Sequence, residues 1–454
     1  MENNFTKDKK RILAVSLTAA FITTFMGSAL TVCVPQIGSE YGVGAAQVGY
    51  IVTVYLLACG ALALPMGKAA DVTNRNIIMK GGLLVFAAGS AGGVAVNSMG
   101  LLLLYRLVQA VGAAMIFSTS NAILSEAFEG AERRKVLGMS AGATYLGMAA
   151  GPVMGGLLAY YFNWKANFLF AAVVSVVALF ICTRGRSGAL MKTHAKWDIK
   201  GILLYIAGLS GLLYGISTLG EGKVGVVVTA AAVALLFLFA RHEKKTDNPL
   251  LNVIELAENK PLLRANIAAM INYGSVFAMN YLLSLYLQVA KEMNSSEAGF
   301  VLVAMPLTLA LVSVISGRFK GGKCNLAVIG ALITAVVMGG CYFIDENRSI
   351  FYIIAILLAA GAGQGLFAVA NLNTVMGATD RENYGVTSAL YSSARSVGNT
   401  LAMAVVTVII SIYLGNMPVS ETSPILMVEI LKKCFFVMTI WCALGIFMAR
   451  RKKV

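Results

Sequence analysis

The sequence predicts an all-α polytopic membrane protein: two pseudo-symmetric six-helix bundles with an inserted pair of transmembrane helices, fourteen spans in all. Three observations carry that expectation. Of the 454 residues, 58% are hydrophobic and only 13% charged, with a mean hydropathy of +0.78, where a soluble domain carries about 25% charge. Apolar runs of about 20 residues, the length that spans a bilayer as a helix, recur along the chain. Two connectors also return at nearly one offset, 250 and 251 residues. The runs are continuous rather than alternating at every second residue, which argues against a barrel.

In order, the expected spans are 12–34, 46–66, 77–98, 100–122, 136–160, 166–183, 199–219, 224–240, 262–290, 299–316, 325–344, 350–375, 385–413 and 430–449. The first follows the basic leader KDKKR at 7–11. It runs too long for a signal peptide, and no small-x-small cleavage site follows it, so it reads as a retained helix. The third and fourth share only a short turn around Asn97 and Ser98. The fifth carries Gly138, Gly142, Gly147, Gly151 and Gly155 at steps of four or five, with Pro152 to bend it. Such small-residue stripes let helices approach closely in lipid. Tight packing alone, or packing plus a rocking contact between bundles, both fit that stripe.

Charge sets the orientation. The net charge is +15, but Lys and Arg concentrate on connectors on the side of the N-terminus, the positive-inside pattern. Both termini are therefore expected in the cytoplasm, with RRKKV at 450–454 a membrane-edge anchor. No nucleic-acid footprint is implied. The seven cysteines form no CxxC pair, so neither zinc nor a disulfide framework is suggested, and no cofactor is expected.

The repeat lies beneath the hydropathy. GKAAD opens at 67, and Gly317 and Arg318 of SGRFKGGK occupy the places of Gly67 and Lys68 at an offset of 250. AFEGAERRKVLG at 127 and ATDRENYGV at 378 agree at 251. Duplicated halves are a common plan for transporters. The expected units are residues 1–183, an inserted pair with basic connectors over 184–260, and 261–454. The inserted pair is expected at the periphery, since a duplicated core needs nothing between its halves.

Four stretches resemble the major facilitator superfamily, specifically its fourteen-helix drug:proton antiporter branch. GKAADVTNRN at 67–76 is similar to the superfamily's loop between helices 2 and 3, with Gly67, Asp71 and Arg75 matching and Asn74 and Asn76 departing. YRLVQAVGAA at 105–114, with Arg106 and Gln109, looks like the family's Arg-x-x-Gln-Gly-x-Gly element, Ala110 replacing its middle glycine. GMAAGPVMGG at 147–156 matches the antiporter helix-5 signature in Gly147, Gly151, Pro152, Gly155 and Gly156. SSARSVGN at 392–399, with Arg395, resembles the late-helix Ser-Arg-x-x-Gly segment. The resemblance implies that Asp71 locks the two bundles together on the cytoplasmic side, against the start of span 385–413. A carboxylate near a helix N-terminus is favoured there by ~0.3–1 kcal/mol.

One departure bears on mechanism. Antiporters of this branch often carry an aspartate early in helix 1, and the corresponding stretch FMGSALTVCVP at 25–35 places Met26 there. None of the 21 acids falls at a span centre, and His194 and His242 lie in connectors. Intramembrane Asp, Glu or His is the usual proton site. Asp71 and Glu126 remain as candidates, while Glu221 reads as solvated. Arg106, costly in a span, could be structural or could attract an anionic group. Arg395 is expected at a cavity wall or helix contact. Cavity candidates are Met26, Asn121, Asn272, Tyr273, Asn280, Tyr281, Gln288, Gln364, Asn371, Asn373 and Tyr391, in a site near the midplane between the repeats.

The expected function is a secondary active transporter of the plasma membrane. It would export small amphiphilic compounds by alternating access with proton antiport, acting as a multidrug efflux protein with a monomer as the expected state. An uncoupled or lipid-like amphiphile carrier of the same fold is the alternative, and a membrane sensor the third reading. The absence of a span-centre acid favours a neutral, zwitterionic or anionic cargo over lipophilic dications. No catalytic set, metal cluster or phosphate-binding loop is found, which points away from an enzyme.

Overall fold

The structure, a computed structural model, describes residues 6–30, 33–42, 45–183, 198–218, 223–293, 295–318, 325–414 and 423–449. Glu221, His194 and the basic tail at 450–454 lie outside them. The first bundle contains α1 (Lys7–Ala29), the short α2 (Val34–Tyr41), α3 (Ala45–Val72), α4 (Arg75–Val94), α5 (Met99–Ala127), α6 (Gly130–Tyr161) and α7 (Lys165–Thr183). Next come α8 (Ile199–Ser217), α9 (Lys223–Glu243) and the single turn-and-a-half of α10 (Val253–Glu258). The second bundle holds α11 (Lys260–Leu285), α12 (Ser295–Leu302), α13 (Ala304–Ser316), α14 (Leu326–Cys341), α15 (Ile350–Gly377), α16 (Tyr384–Leu414) and α17 (Pro424–Ala449).

All fourteen expected segments hold helix, but eleven helices of the described residues are long and apolar enough by composition to cross a membrane. The other three depart for separable reasons. Helix α14 has only 16 residues. Helices α6 and α11 are long, but Gly, Ser and Arg dilute the hydropathy of the former, and Asn, Tyr and Ser that of the latter. The expected span 12–34 ends early, at Ala29, and the chain restarts at α2 with Pro35 in its first turn. The expected span 299–316 breaks between Leu302 and Ala304. Pro306 cannot donate to the carbonyl of Leu302 and its ring crowds that carbonyl, so the helix ends there.

Side-chain caps fix several starts. Asn74 is extended at φ −160° and accepts from the Asn76 and Ile77 amides to open α4. The departure from the family's glycine is thus a helix cap. Ser98 caps α5 through the Leu101 amide, which separates α4 from α5 across their tight turn.

Each bundle has its own core. In the first, Phe25, Phe86, Trp164 and Phe168 pack together; in the second, Leu282, Leu357, Phe435 and Met438 do so. A third cluster crosses between bundles, joining Leu124 and Leu137 to Ala268, Phe367 and Tyr391. Lipid tails are as apolar as leucine, so these contacts hold by close packing rather than by exclusion from water. The principal seams between bundles run α3 against α16 and α6 against α13.

The inserted helices are not detached from the core. Leu209 and Tyr205 of α8 pack with Leu64 of α3 and Ala389 of α16, and the Tyr205 hydroxyl meets Ser393 Oγ at 2.9 Å. Helix α8 therefore lies over the seam and touches both bundles, with α9 outside it.

Candidate functional site

The ten residues 67–76 form the end of α3 and start of α4, and they build a latch onto α16. Asp71 Oδ1 accepts from Arg75 Nε at 2.9 Å, Arg75 Nη2 at 2.8 Å and the Gly385 amide at 2.8 Å. Its Oδ2 accepts from the Val386 amide at 2.8 Å. Gly385 and Val386 lie in the first turn of α16, whose amides have no partner within their own helix. Arg75 turns Nη1 to Glu126 Oε2 at 2.8 Å, and its Nη2 also donates to the Glu382 carbonyl at 3.0 Å and to the Arg381 carbonyl. One guanidinium thus ties α4 to α3, to α5 and to the segment entering α16.

Further contacts close the same end: Arg381 pairs with Glu129, and Arg133 Nη1 donates to the Tyr384 hydroxyl at 3.2 Å. Gly67 permits this approach, since a Cβ there would stand 2.6 Å from the Gly385 carbonyl oxygen and 2.8 Å from Ala389 Cβ. The second seam repeats the arrangement at the offset seen in the sequence. A Cβ on Gly317 would meet the Arg134 carbonyl at 2.8 Å and Gly138 Cα at 3.1 Å, positions 251 residues before 385 and 389. The carboxylate is not duplicated, for Gly321 stands where Asp71 would recur.

The glycines of α6 serve two partners. Gly138 and Gly142 face α13 across the seam, whereas Gly147, Gly151 and Gly155 face α1 within their own bundle. The five-residue step from Gly142 to Gly147 explains this: at 3.6 residues per turn it rotates the face by about 140°. The antiporter-like signature thus packs α1 on α6, and the contact across the seam falls on the two glycines before it. Pro152 and Gly156 are half-buried in the same helix.

Arg106 is fully buried and engaged by its own bundle. Its Nε donates to the Ile51 carbonyl at 3.0 Å, and Nη1 to Gln109 Oε1 at 2.5 Å and to the Met26 carbonyl at 3.4 Å. Gln109 passes the chain to Ser90 Oγ at 2.7 Å. The Tyr55 ring covers the guanidinium at 4.2 Å. Its Nη2 has no partner among the described residues, but the group is sealed at 0% exposure, which favours the structural role of Arg106 over the anion-attracting one. Met26, wholly buried in the same core, does not line a cavity either.

Arg395 is different. Its guanidinium centre lies 5.9 Å from the Phe117 ring of α5 and 5.7 Å from the Tyr273 ring of α11, so it bridges the bundles. Beside it the hydroxyls of Tyr145, Tyr273 and Tyr391 form a chain, with steps of 3.0 and 3.1 Å, from α6 through α11 to α16. Gln364 stands next to Tyr145, 1% exposed. Neither of its amide atoms has a partner in hydrogen-bond geometry among the described residues.

The other expected cavity residues scatter. Asn371 donates to the Ala265 carbonyl, joining α15 to α11, and Asn373 bonds back to Val369. Asn121 accepts from Ser140 between α5 and α6. Gln288, exposed, bonds its own helix at Ser284. Tyr281 is 39% exposed and Asn280 half-buried. Asn272 is buried, and its Oδ1 has no partner among the described residues. The sequence reading passed over Tyr145 and Phe117 because each sits in a helix read for other features. The spacing that could have found Tyr145 is its place between Gly142 and Gly147, where α6 turns from one partner to the other.

A separate cluster sits at the base of the inserted pair. Asp198 Oδ1 accepts from the Gly201 amide and from His242 Nε2, both at 2.9 Å, and Glu243 Oε2 accepts from the Leu251 amide at 3.0 Å. Burial alone would raise the Asp198 carboxyl. The Gly201 amide, His242 and Glu243 outweigh that and hold it below its usual range. No His, Cys, Asp and Glu group among the described residues could hold a metal ion.

With this geometry in place, the chain can be set beside known proteins. Residues 16–240 and 265–452 match the family described as Major Facilitator Superfamily. The chain is 25% identical to the riboflavin transporter RibZ of Clostridioides difficile (strain 630), across 88% of this chain and 87% of that one. It is 24% identical to the multidrug transporter protein MdtP of Bacillus subtilis (strain 168), across 92% and 79%, and 26% identical to the puromycin resistance protein pur8 of Streptomyces alboniger, across 86% and 80%. Among solved structures, the human organic anion transporter MFSD10 (TETRAN) superposes with a TM-score of 0.71 at 15% identity, covering 98% of this chain and 100% of that one. At that identity the likeness speaks for the fold.

Proposed function

The chain belongs to the Major Facilitator Superfamily, and we propose that it exports small amphiphilic compounds across the plasma membrane by proton-coupled alternating access. That it is a multi-pass membrane transporter rather than an enzyme follows from the family and from relatives across nearly its whole length. The finer reading takes fourteen membrane-crossing helices, with residues 1–183 and 261–454 as rocking halves and both termini in the cytoplasm.

The observation that carries the reading is the buried latch. Asp71 and Arg75 hold α3, α4 and α5 to the start of α16 through hydrogen bonds that all lie on one edge of the seam. A contact so placed has two discrete states, made and broken, which alternating access requires. Asp71 is also where a proton would act. Protonated, the carboxyl would lose its charge against Arg75 and one acceptor for the α16 amides, and the seam would be released. Glu126, its side chain half in water and paired to Arg75, is the second carboxylate of this relay.

The relatives are named for different cargoes, riboflavin in one case and drugs in others, so the cargo rests on this chain's own residues. The test is flux in liposomes loaded with a pH-sensitive dye, under an imposed pH gradient, with neutral, cationic and anionic amphiphiles added in turn. Substrate-dependent proton movement supports the proposal. Substrate movement without proton movement would replace it with the uncoupled carrier.

A further inference from the structure

We propose that Arg395, flanked by Phe117, Tyr273 and Tyr391, is the docking point for the anionic group of an aromatic amphiphile: a carboxylate, sulfonate or phosphate. Arg395 lies eleven residues into α16, about 16 Å along its axis at 1.5 Å per residue, and so near the middle of the membrane. It is half-buried, and among the described residues no oxygen accepts a hydrogen bond from it and no carboxylate pairs with it. Nor do its nitrogens number among the sealed, unpartnered polar atoms, so they face accessible space.

The contrast with the chain's other two inner arginines is informative. Arg75 spends its nitrogens on two carboxylates and two carbonyls, and Arg106 spends Nε and Nη1 on two carbonyls and Gln109, its Nη2 sealed against the Tyr55 side of the core without a partner among the described residues. Arg395 has only rings. Two aromatic faces hold the guanidinium by cation–π attraction and leave its planar fork of donors free. That fork matches a carboxylate, sulfonate or phosphate with two parallel hydrogen bonds.

A second observation points to a ligand independently. Gln364 is buried with its amide oxygen unpartnered among the described residues, its NH2 group turned toward the Tyr145 hydroxyl that heads the three-tyrosine chain. Buried polar groups are ordinarily satisfied, so an unfilled amide oxygen and a free cation, both beside Tyr145, mark a place for polar atoms of a bound molecule. Phe117 and Tyr273, held by the first and second halves respectively, supply walls for an aromatic body. Because the contacts come from both halves, cargo held here would register the rocking of one against the other. A lipophilic cation would meet the like charge of Arg395 and find no carboxylate among the described residues at this depth.

The inference deepens the transport reading and rests on it for meaning, though binding tests it alone. The probes are 2-naphthoate and 2-naphthamide, alike in their aromatic body and differing in charge. They are titrated by calorimetry into the purified full chain in detergent at pH 7. We expect naphthoate to bind at least tenfold more tightly than naphthamide, Arg395→Gln to bring the two within about twofold, and Arg395→Lys to keep part of the preference. Gln364→Leu should weaken naphthoate severalfold. Equal binding of acid and amide by the unaltered chain overturns the inference, even should Arg395→Gln fail to fold. So does a preference that survives Arg395→Gln. Preference without flux in liposomes would sustain the site and remove the transport reading. Flux of neutral amphiphiles with no acid preference would do the reverse.

Discussion

Replacing Asp71 by asparagine should open the α3–α16 seam. The Asp71 and Arg75 side chains are 7% and 5% exposed, so water cannot substitute for the lost charge. Removing one member of a buried pair costs about 3–5 kcal/mol, because the other charge is left uncompensated. Two features place this case at the low end. Arg75 keeps Glu126, and asparagine retains one oxygen for the Gly385 amide. Its new NH2 group, however, would face the Val386 amide, a donor against a donor. About 3 kcal/mol against the closed seam shifts the closed-to-open ratio by about 150-fold. The assay uses Ser388, wholly buried with its hydroxyl on the Phe117 carbonyl at 3.2 Å. In Ser388→Cys, with the native cysteines replaced, a water-soluble maleimide should label slowly, and adding Asp71→Asn should speed labelling by an order of magnitude or more. Transport should fall further than substrate binding. Unchanged labelling at equal expression would refute the reasoning, because the carboxylate would then not be holding the seam.

Three further substitutions separate the seam from the bundles, and a fourth tests the cap of α8. Gly67→Ala sets a methyl 2.6 Å from the Gly385 carbonyl and should also speed Ser388→Cys labelling, with little loss of thermal stability; protection equal to the parent would contradict it. Gly151→Ala would set a methyl 1.9 Å from Ser28 Oγ, between α1 and α6 of one bundle. It should lower the melting temperature through an overpacking cost of about 1–3 kcal/mol and leave labelling at Ser388 unchanged. Arg106→Lys loses the fork that serves Ile51, Gln109 and Met26 together. It should cost about 1–3 kcal/mol of stability through unsatisfied groups while naphthoate affinity stays within twofold; a tenfold drop in affinity in a stable variant would restore Arg106 to the substrate path. Asp198→Ala removes the cap of α8 and should cost about 1 kcal/mol at neutral pH. Its carboxyl is held low in the folded chain, so this stabilisation is present above the unfolded value of about 3.9 and lost as pH falls through the lower folded one. Thermal unfolding should show a gap between parent and variant that shrinks in acid; a gap unchanged down to pH 3 would contradict the assignment.

Much of this was legible in the sequence because lipid simplifies the problem. A span must satisfy its own backbone, so apolar runs read directly as helices, and only the polar or short ones, α6, α11 and α14, fell below a simple threshold. The repeat was legible because close approach demands glycine: Gly67 and Gly317 stand out at one offset, and the structure sets both at seams. What the sequence could not show is which neighbour a face meets. The glycine run of α6 looked like one stripe, and a single five-residue step sends its halves to α13 and α1. Arg106 and Arg395 looked alike as charges within spans. One is consumed by main-chain carbonyls that no sequence pattern announces, whereas the other is flanked by rings from distant helices. The same limit hid the link between Tyr145, Tyr273 and Tyr391, whose hydroxyls meet only because three helices from two halves converge.

The most direct test of the account is a distance measurement across the latch. Spin labels at the exposed positions Thr73, just past the end of α3, and Asn383, leading into α16, would report the seam in the full chain reconstituted in lipid. The account predicts two distance populations, a short one with the latch made and a longer one with it broken. Lowering the pH, adding substrate or substituting Asp71→Asn should move weight toward the longer. A single short distance under every condition, in a protein that nonetheless transports, would contradict it.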